Sequence, residues 1–130
     1  MTDLLLVHPG SRAIVYQGLG AELSAVATPV WAGMIATLAR DVGLGVSILD
    51  CEARNLSAAD AAKEALAATG GKGLVAVVIY GHQPSASTQN MTYAGALARE
   101  IKALDQGQQI MFLGGHIATL PERALREEVC

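Results

Sequence analysis

The chain has 130 residues, of which 52% are apolar, and this is enough for one compact domain with a substantial core. Nine basic and twelve acidic residues give a formal charge of −3. The basic residues are scattered, which argues against nucleic acid because phosphate binding needs a concentrated positive face. No apolar run approaches the ~20 residues that cross a bilayer, and the N-terminus has no basic and apolar secretion signal. We therefore expect a cytoplasmic protein with no membrane partner.

Strands and helices are predicted to alternate along the chain. Short aliphatic runs predict strands over residues 3–8, 45–49, 74–80 and 109–113. Apolar residues at helical spacing predict helices over residues 29–42, 58–68, 88–104 and 120–128. The third strand contains no charged residue, as expected of a central strand that is covered on both faces.

Capping residues mark where the predicted helices begin. Thr28 is expected to cap the first helix, in which Trp31 and Met34 are expected to face the core. Thr119 and Glu122 have the spacing of a capping box, which places the start of the fourth helix at residue 120. Ser57 is expected to open the second helix, with Asp60 in its first turn.

The order βαβαβαβα predicts an α/β fold, a Rossmann-like (flavodoxin-like) doubly wound parallel sheet with strand order 2-1-3-4(-5). Residues 1–130 form one domain in this interpretation. A fifth strand would follow the fourth helix, where the sequence stops at Val129 and Cys130. We therefore expect the chain to be an N-terminal fragment of a longer protein.

Each histidine of the chain follows a predicted strand. His8 follows the first strand, His82 the third and His116 the fourth, so all three belong to the carboxyl edge, where open α/β sheets bind ligands. The connection over residues 10–27 is far longer than the roughly 2–6 residues of most βα loops, which predicts a wall or lid of the site. It is rich in hydrogen-bonding side chains.

Two further features of this edge favour a ligand with many polar groups. Residues 83–90 are mostly small and polar and lead into a helix, whose free backbone N–H groups attract an anion or an amide oxygen. Gly114 and Gly115 follow the fourth strand, where missing side chains permit close approach to the backbone, although a plain turn that requires positive φ is, on its own, the better explanation of a glycine pair. Neither a G-x-G-x-x-G after the first strand nor a P-loop is present.

Several strings of the sequence carry a resemblance. They are LLVHPGSR at residues 5–12, PVWAG at 29–33, ILD at 48–50, YGHQPSAST at 80–88 and GGHIATLPE at 114–122. Together they resemble the cobalamin-binding domain at the N-terminus of cobalamin-dependent radical S-adenosylmethionine enzymes, and the resemblance covers essentially the whole chain.

This resemblance implies a base-off cobalamin, with the corrin over the carboxyl edge and the dimethylbenzimidazole tail threaded into the domain beside the glycine pair. The Asp-x-His-x-x-Gly motif that places a histidine on cobalt in related mutases is absent at residues 8–12, which favours cobalt without a histidine ligand. The cofactor-binding residues expected on this basis are His8, Ser11, Tyr16, Gln17, Tyr80, Gly81, His82, Gln83, Ser85, Ser87, Thr88, Gly114, Gly115 and His116.

The resemblance also implies a reaction, most often methyl transfer from S-adenosylmethionine by way of methylcobalamin. The partner is a radical S-adenosylmethionine domain, in cis or in trans, which carries the [4Fe-4S] cluster and the S-adenosylmethionine. The Cys-x-x-x-Cys-x-x-Cys cluster motif does not occur here, since the chain has two cysteines, Cys51 and Cys130. No catalytic residue is therefore expected within these residues.

Other classes of function remain open from the residues alone. His8, His82 and His116 follow strands of one sheet, so they could converge on a zinc or iron ion in a metal-dependent enzyme. A flavodoxin-like module that binds flavin or phosphate is a further alternative. A purely structural interaction domain explains neither the long first connection nor the polar run over residues 83–90.

Overall fold

A computed structural model of the chain describes residues 1–12, 25–80 and 84–130, with only the helical backbone described at residues 84–86. In these ranges the strands are β1 (Leu4–His8), β2 (Val46–Asp50), β3 (Leu74–Val78) and β4 (Ile110–Leu113). The helices in the same ranges are α1 (Val30–Asp41), α2 (Ala58–Thr69), α3 (Pro84–Leu104), α4 (Gly115–Thr119) and α5 (Pro121–Glu127). No helix in this part of the chain is both long and apolar enough to cross a bilayer.

The strands form one parallel sheet in the order β2-β1-β3-β4, which confirms the predicted doubly wound α/β fold. Leu6 of β1 pairs with Ile48 of β2 on one side and with Ala76 of β3 on the other. Ala76 in turn pairs with Met111 of β4. The order reverses direction between β1 and β3, so the crevice where such folds bind ligands lies at the carboxyl ends of these two strands.

The larger core covers one face of the sheet. Inward residues of all four strands meet α2 and α3, and Leu97, Ala98 and Ile101 of α3 are fully buried against them. α2 approaches closely because its inner face is built from alanines such as Ala61 and Ala65. Ser57 caps this helix by accepting a hydrogen bond from the Asp60 backbone N–H, as its sequence predicts.

The other face is covered by α1, which buries only the small side chains of Ala32 and Ala36 against Leu6 and Val78. The prediction that Trp31 and Met34 belong to the core is wrong, because their side chains are 48% and 54% exposed. Helical periodicity identified an apolar helix but not the face that touches the sheet. Alanines at that face let the helix backbone lie close to the strands.

Two predicted caps and one helix boundary are also corrected. Thr28 does not cap α1, whose N-cap residue is Pro29 and has no side-chain cap. The predicted capping box is absent, because the Thr119 hydroxyl donates to the Gly115 carbonyl of the short helix α4, which the sequence did not predict. α3 begins at Pro84 rather than Thr88, since proline suits a first helical turn and the polar run continues as helix.

Candidate functional site

The turn after β1 is tied to the turn after β2. The Cys51 backbone N–H donates to the His8 carbonyl at 3.0 Å, which extends the ladder between the two strands past their ends. A Cβ at Gly10 would lie 3.0 Å from the Cys51 carbonyl oxygen, so glycine permits this close packing. Beyond it, the Arg12 backbone N–H donates to the Glu52 carboxylate at 3.3 Å. These contacts fix the backbone on both sides of Ser11.

Ser11 carries a buried hydroxyl that lacks a hydrogen-bond partner. Its side chain is only 3% exposed, and its Oγ is the buried side-chain polar atom without a partner in the described part of the chain. Burying an unpaired hydroxyl costs about 1–3 kcal/mol, so such groups are usually satisfied by protein, water or ligand. Because Ser11 follows β1 at the topological switch point, a bound ligand is a natural partner for its hydroxyl.

The ends of β3 and β4 are joined by a second group of contacts, which we call the glycine-turn cluster: Ile79, Ser87, Thr88, Gly114, Gly115 and His116. The buried Ser87 hydroxyl donates to the Ile79 carbonyl at 2.7 Å. A Cβ on Gly114 would collide with that same carbonyl oxygen. Gly114 therefore allows β4 to pack against β3, and the Ile79 backbone occupies the place where a side chain at residue 114 would lie.

Gly115 has open space where Gly114 has none. A Cβ there would meet only the Ser87 Oγ, at 3.7 Å, and the residue is exposed. Beside it, His116 Nδ1 and the Thr88 hydroxyl share a hydrogen bond of 3.0 Å, which links α4 to α3. The opening at Gly115 is thus bordered by two side chains that can exchange hydrogen bonds with a ligand.

An aromatic pair lies on the α1 side of the same edge. The rings of Trp31 and Tyr80 are stacked with their centroids 4.8 Å apart. Tyr80 follows β3 and is partly buried, whereas about half of the Trp31 side chain is accessible. The sequence predicts Trp31 as a core residue. The sign that it lies near the site is its position as the second residue of α1, which begins at the carboxyl edge.

Cys51 lies at this edge but does not face a ligand. It is fully buried, and burial raises the pKa of its thiol to about 11. Burial likewise raises the pKa of the neighbouring Tyr93, whose hydroxyl donates to the Leu56 carbonyl at 2.9 Å. Both groups are therefore held in their neutral forms and contribute to packing.

The amino edge of the sheet is built differently. Gln108 is fully buried, and its Nε2 donates to the Gly73 carbonyl at 2.6 Å and to the Gln109 carbonyl at 2.9 Å. Its Oε1 accepts from the Thr69 hydroxyl at 2.9 Å. This network satisfies the amide within the protein and leaves no group for a ligand.

Not all residues predicted for the site fall within the described ranges. His8, Ser11, Tyr80, Ser87, Thr88, Gly114, Gly115 and His116 lie at the carboxyl edge as predicted. Tyr16, Gln17, Gly81, His82 and Gln83, and with them most of the predicted lid, lie outside the described residues, as does the side chain of Ser85. The residues that are described contain no group of three or more His, Cys, Asp or Glu side chains suited to a metal ion.

An apolar groove follows the outer side of β4 and is separate from this edge. Its volume is about 340 Å³, and its lining includes Met111, Phe112, Ile117 and Leu125.

Comparison of the chain with known protein families, with curated proteins and with solved structures gives no match. The functional argument therefore depends on the carboxyl edge itself and on the motifs of the sequence.

Proposed function

We propose that this domain binds cobalamin in its base-off form at the carboxyl edge of the sheet. The observation that carries the proposal is a difference between two neighbouring glycines, one packed tightly against the protein and the other with free space beside it. Gly114 brings β4 against Ile79, and the next residue, Gly115, leaves accessible space beside a buried serine. A large ligand with a narrow apolar tail fits a backbone turn of this kind.

Polar groups along the carboxyl edge suit the amides of a corrin. Cobalamin carries many side-chain amides, which need both donors and acceptors. The unpartnered Ser11 hydroxyl can both donate and accept, and the Thr88–His116 pair lies at the border of the opening. These residues, with Gly115 for the tail, are the described groups that would hold the cofactor.

Cobalt is proposed to have no histidine ligand from this chain. His8 is buried, with 9% of its surface exposed, and it follows β1 without the motif that presents a histidine to cobalt. Replacement of His8 or His82 by alanine should leave the visible spectrum of bound cobalamin unchanged. A shift of the cobalt absorption bands in either variant would assign that histidine as a ligand.

The proposed role of the domain is to present cobalamin to a radical S-adenosylmethionine domain, most often for methyl transfer. The cofactor supplies the methyl-transfer chemistry, while the protein determines its position and its lower face. Within this chain, the rigid sheet edge and the ties from Cys51 to His8 and from Ser87 to Ile79 provide that positioning. The cluster and the S-adenosylmethionine belong to the partner domain.

The proposal is tested by visible absorption titration of the full chain with hydroxocobalamin and methylcobalamin under anaerobic conditions. We expect the corrin to remain bound after gel filtration and to show a base-off spectrum. Cobinamide, which lacks the nucleotide tail, should bind more weakly because the opening at Gly115 is proposed to hold that tail. Loss of all corrin on gel filtration, or equal binding of cobinamide, would contradict the proposal.

A further inference from the structure

The outer surface of α1 lacks the charges that cover the other long helices. Its sequence, VWAGMIATLARD, is uncharged up to Arg40 and Asp41 at the C-terminal end. α2 by contrast exposes Asp60 and Lys63, which form an ion pair across one turn. Apart from Thr37, no polar side chain interrupts the helix before Arg40, and a helix with so apolar a surface is normally covered. The outer face of α1 therefore has the composition of an interface.

The apolar residues of this face form a continuous line, which we call the α1 ridge: Val30, Met34, Leu38 and Val42. They recur at every fourth position, and their side chains are 55%, 54%, 68% and 76% exposed. Residues at i and i+4 are neighbours on a helix surface, so the four side chains touch the solvent as one row. The half-exposed Trp31 widens this row at its N-terminal end.

We infer that the α1 ridge is covered by the same ridge of a second copy of this chain, in a two-fold symmetric dimer. Ridges of i, i+4 residues are the surfaces that most often interdigitate between packed helices. An antiparallel arrangement about the midpoint of the ridge brings Met34 opposite Leu38 and Val30 opposite Val42. The ridge is thus complementary to itself, as a two-fold interface requires.

The charges at the ends of α1 fit the same arrangement. The N-terminus of α1 has no acidic residue in its first turn, and its N-cap residue makes no side-chain hydrogen bond. Antiparallel pairing carries Asp41, which neighbours Val42, toward that first turn in the other copy. A carboxylate is favourable near a helix N-terminus because it interacts with the helix dipole.

The exposed apolar area is of the size that a weak, specific dimer needs. Side chains of this size present roughly 150–200 Å² when fully accessible, so the four ridge residues and Trp31 expose about 100 Å² apiece. Two copies would then bury about 1,000 Å² in total, which is the lower limit for a specific interface. We therefore expect a dissociation constant of about 1–100 µM.

This inference is independent of the proposed cobalamin site. Because α1 connects two parallel strands, its N-terminus lies at the carboxyl edge and its axis runs against the strands. An antiparallel pair of α1 helices therefore points the two carboxyl edges in opposite directions. The dimer leaves both ligand sites accessible.

Sedimentation velocity of the full chain over a range of concentrations tests the dimer. The 13.4 kDa monomer should convert reversibly to a species of twice that mass. Leu38→Glu should raise the dissociation constant at least ~100-fold, since it buries two charges at the centre of the interface. Leu125→Glu is the matched control, because Leu125 is 70% exposed on α5 and Leu38 is 68% exposed.

Asp41→Asn gives a second readout that depends on charge alone. It should weaken the dimer by a few-fold, and added salt should have the same effect on the wild type. A wild-type chain that stays monomeric at about 1 mM, ten times the upper bound on the dissociation constant, would overturn the inference. So would a dimer that is broken by Leu125→Glu and not by Leu38→Glu, which would place the contact at the β4 groove. Circular dichroism confirms that each variant is folded.

Discussion

The two edges of the sheet differ at one buried polar group each, Gln108 at the amino edge and Ser11 at the carboxyl edge. At the amino edge, the Gln108 amide makes three hydrogen bonds within the protein and is fully buried. At the carboxyl edge, the Ser11 hydroxyl is buried to nearly the same degree but has no partner. The first edge contributes stability, and the second retains hydrogen-bonding capacity that a ligand can use. The Gln108 network at the amino ends of the strands is therefore structural, whereas the Ser11 hydroxyl at their carboxyl ends can bind a ligand.

The largest change in the free energy of unfolding is expected at the amino edge. Gln108→Ala should lower the free energy of unfolding by about 2–4 kcal/mol, because it leaves a cavity and removes hydrogen bonds from the Gly73 carbonyl and the Thr69 hydroxyl. Gln109→Ala, at an exposed neighbouring position, should change it by less than about 0.5 kcal/mol. Urea denaturation measures both values. Similar losses in the two variants would show that the Gln108 network contributes no special stability.

The two cysteines differ in burial, and their reactivity toward a thiol reagent should show this difference. Cys51 is buried with its pKa raised to about 11, whereas Cys130 is exposed. Burial excludes the reagent from Cys51 and also disfavours its thiolate, so iodoacetamide should modify Cys130 at least about 100-fold faster at pH 8. Mass spectrometry of the time course follows both sites. Two equally fast thiols in the folded protein would refute the burial of Cys51, while equal rates are expected in denaturant.

The raised pKa of Cys51 also sets the sign of one pH effect. The unfolded thiol loses its proton near pH 8.5, whereas the folded thiol keeps it until about pH 11. Between these values the unfolded state binds fewer protons, so the free energy of unfolding should fall as the pH rises. Cys51→Ala should flatten this slope in denaturation curves measured from pH 8 to 10.5. An unchanged slope in the variant would assign the effect to other groups.

At the carboxyl edge, the expected change in stability is smaller and of the opposite sign. Ser11→Ala should raise the free energy of unfolding of the ligand-free protein by up to about 1 kcal/mol, since it removes a buried hydroxyl that makes no hydrogen bond in the protein. The same change should weaken corrin binding by about 5–10-fold, corresponding to one hydrogen bond. Ser57→Ala provides the reverse pattern, because it removes the cap of α2 and costs about 1 kcal/mol without touching the site. Calorimetry and titration of both variants separate the two roles.

The fold was predictable from the sequence because its strands are uncharged aliphatic runs and its helices are periodic. The order β2-β1-β3-β4 is that of the flavodoxin-like class, one of the common orders that the βα alternation permits. The start of α3 was missed because Pro84 and the small polar residues after it are typical of both loops and first helical turns. α4 was missed because one turn of helix after two glycines has no periodicity to detect.

The candidate site was predictable in its position but not in its detail. That Ser11 and the glycine pair belong to one edge follows from strand order alone. Whether Ser11 has a partner, and which glycine packs against Ile79, depends on the positions of individual atoms in the folded chain, which the sequence pattern does not give. The exposure of Trp31 had one weak signal, its position at the start of a helix that begins at the carboxyl edge, because α1 is uncharged up to Arg40 and has no charged face to indicate which side meets solvent.

The central claim is that the opening at Gly115 receives the tail of a bound corrin, and a pair of glycine variants tests it most directly. Gly115→Leu fills space that the protein leaves open. Gly107→Leu adds the same side chain before β4 at the opposite edge, where its Cβ would meet the partly buried Asp105 carboxylate at 3.3 Å. Both variants should melt cooperatively as folded domains. Corrin titration should then show binding lost in Gly115→Leu and retained in Gly107→Leu, whereas equal affinity in the two folded variants would contradict the assignment.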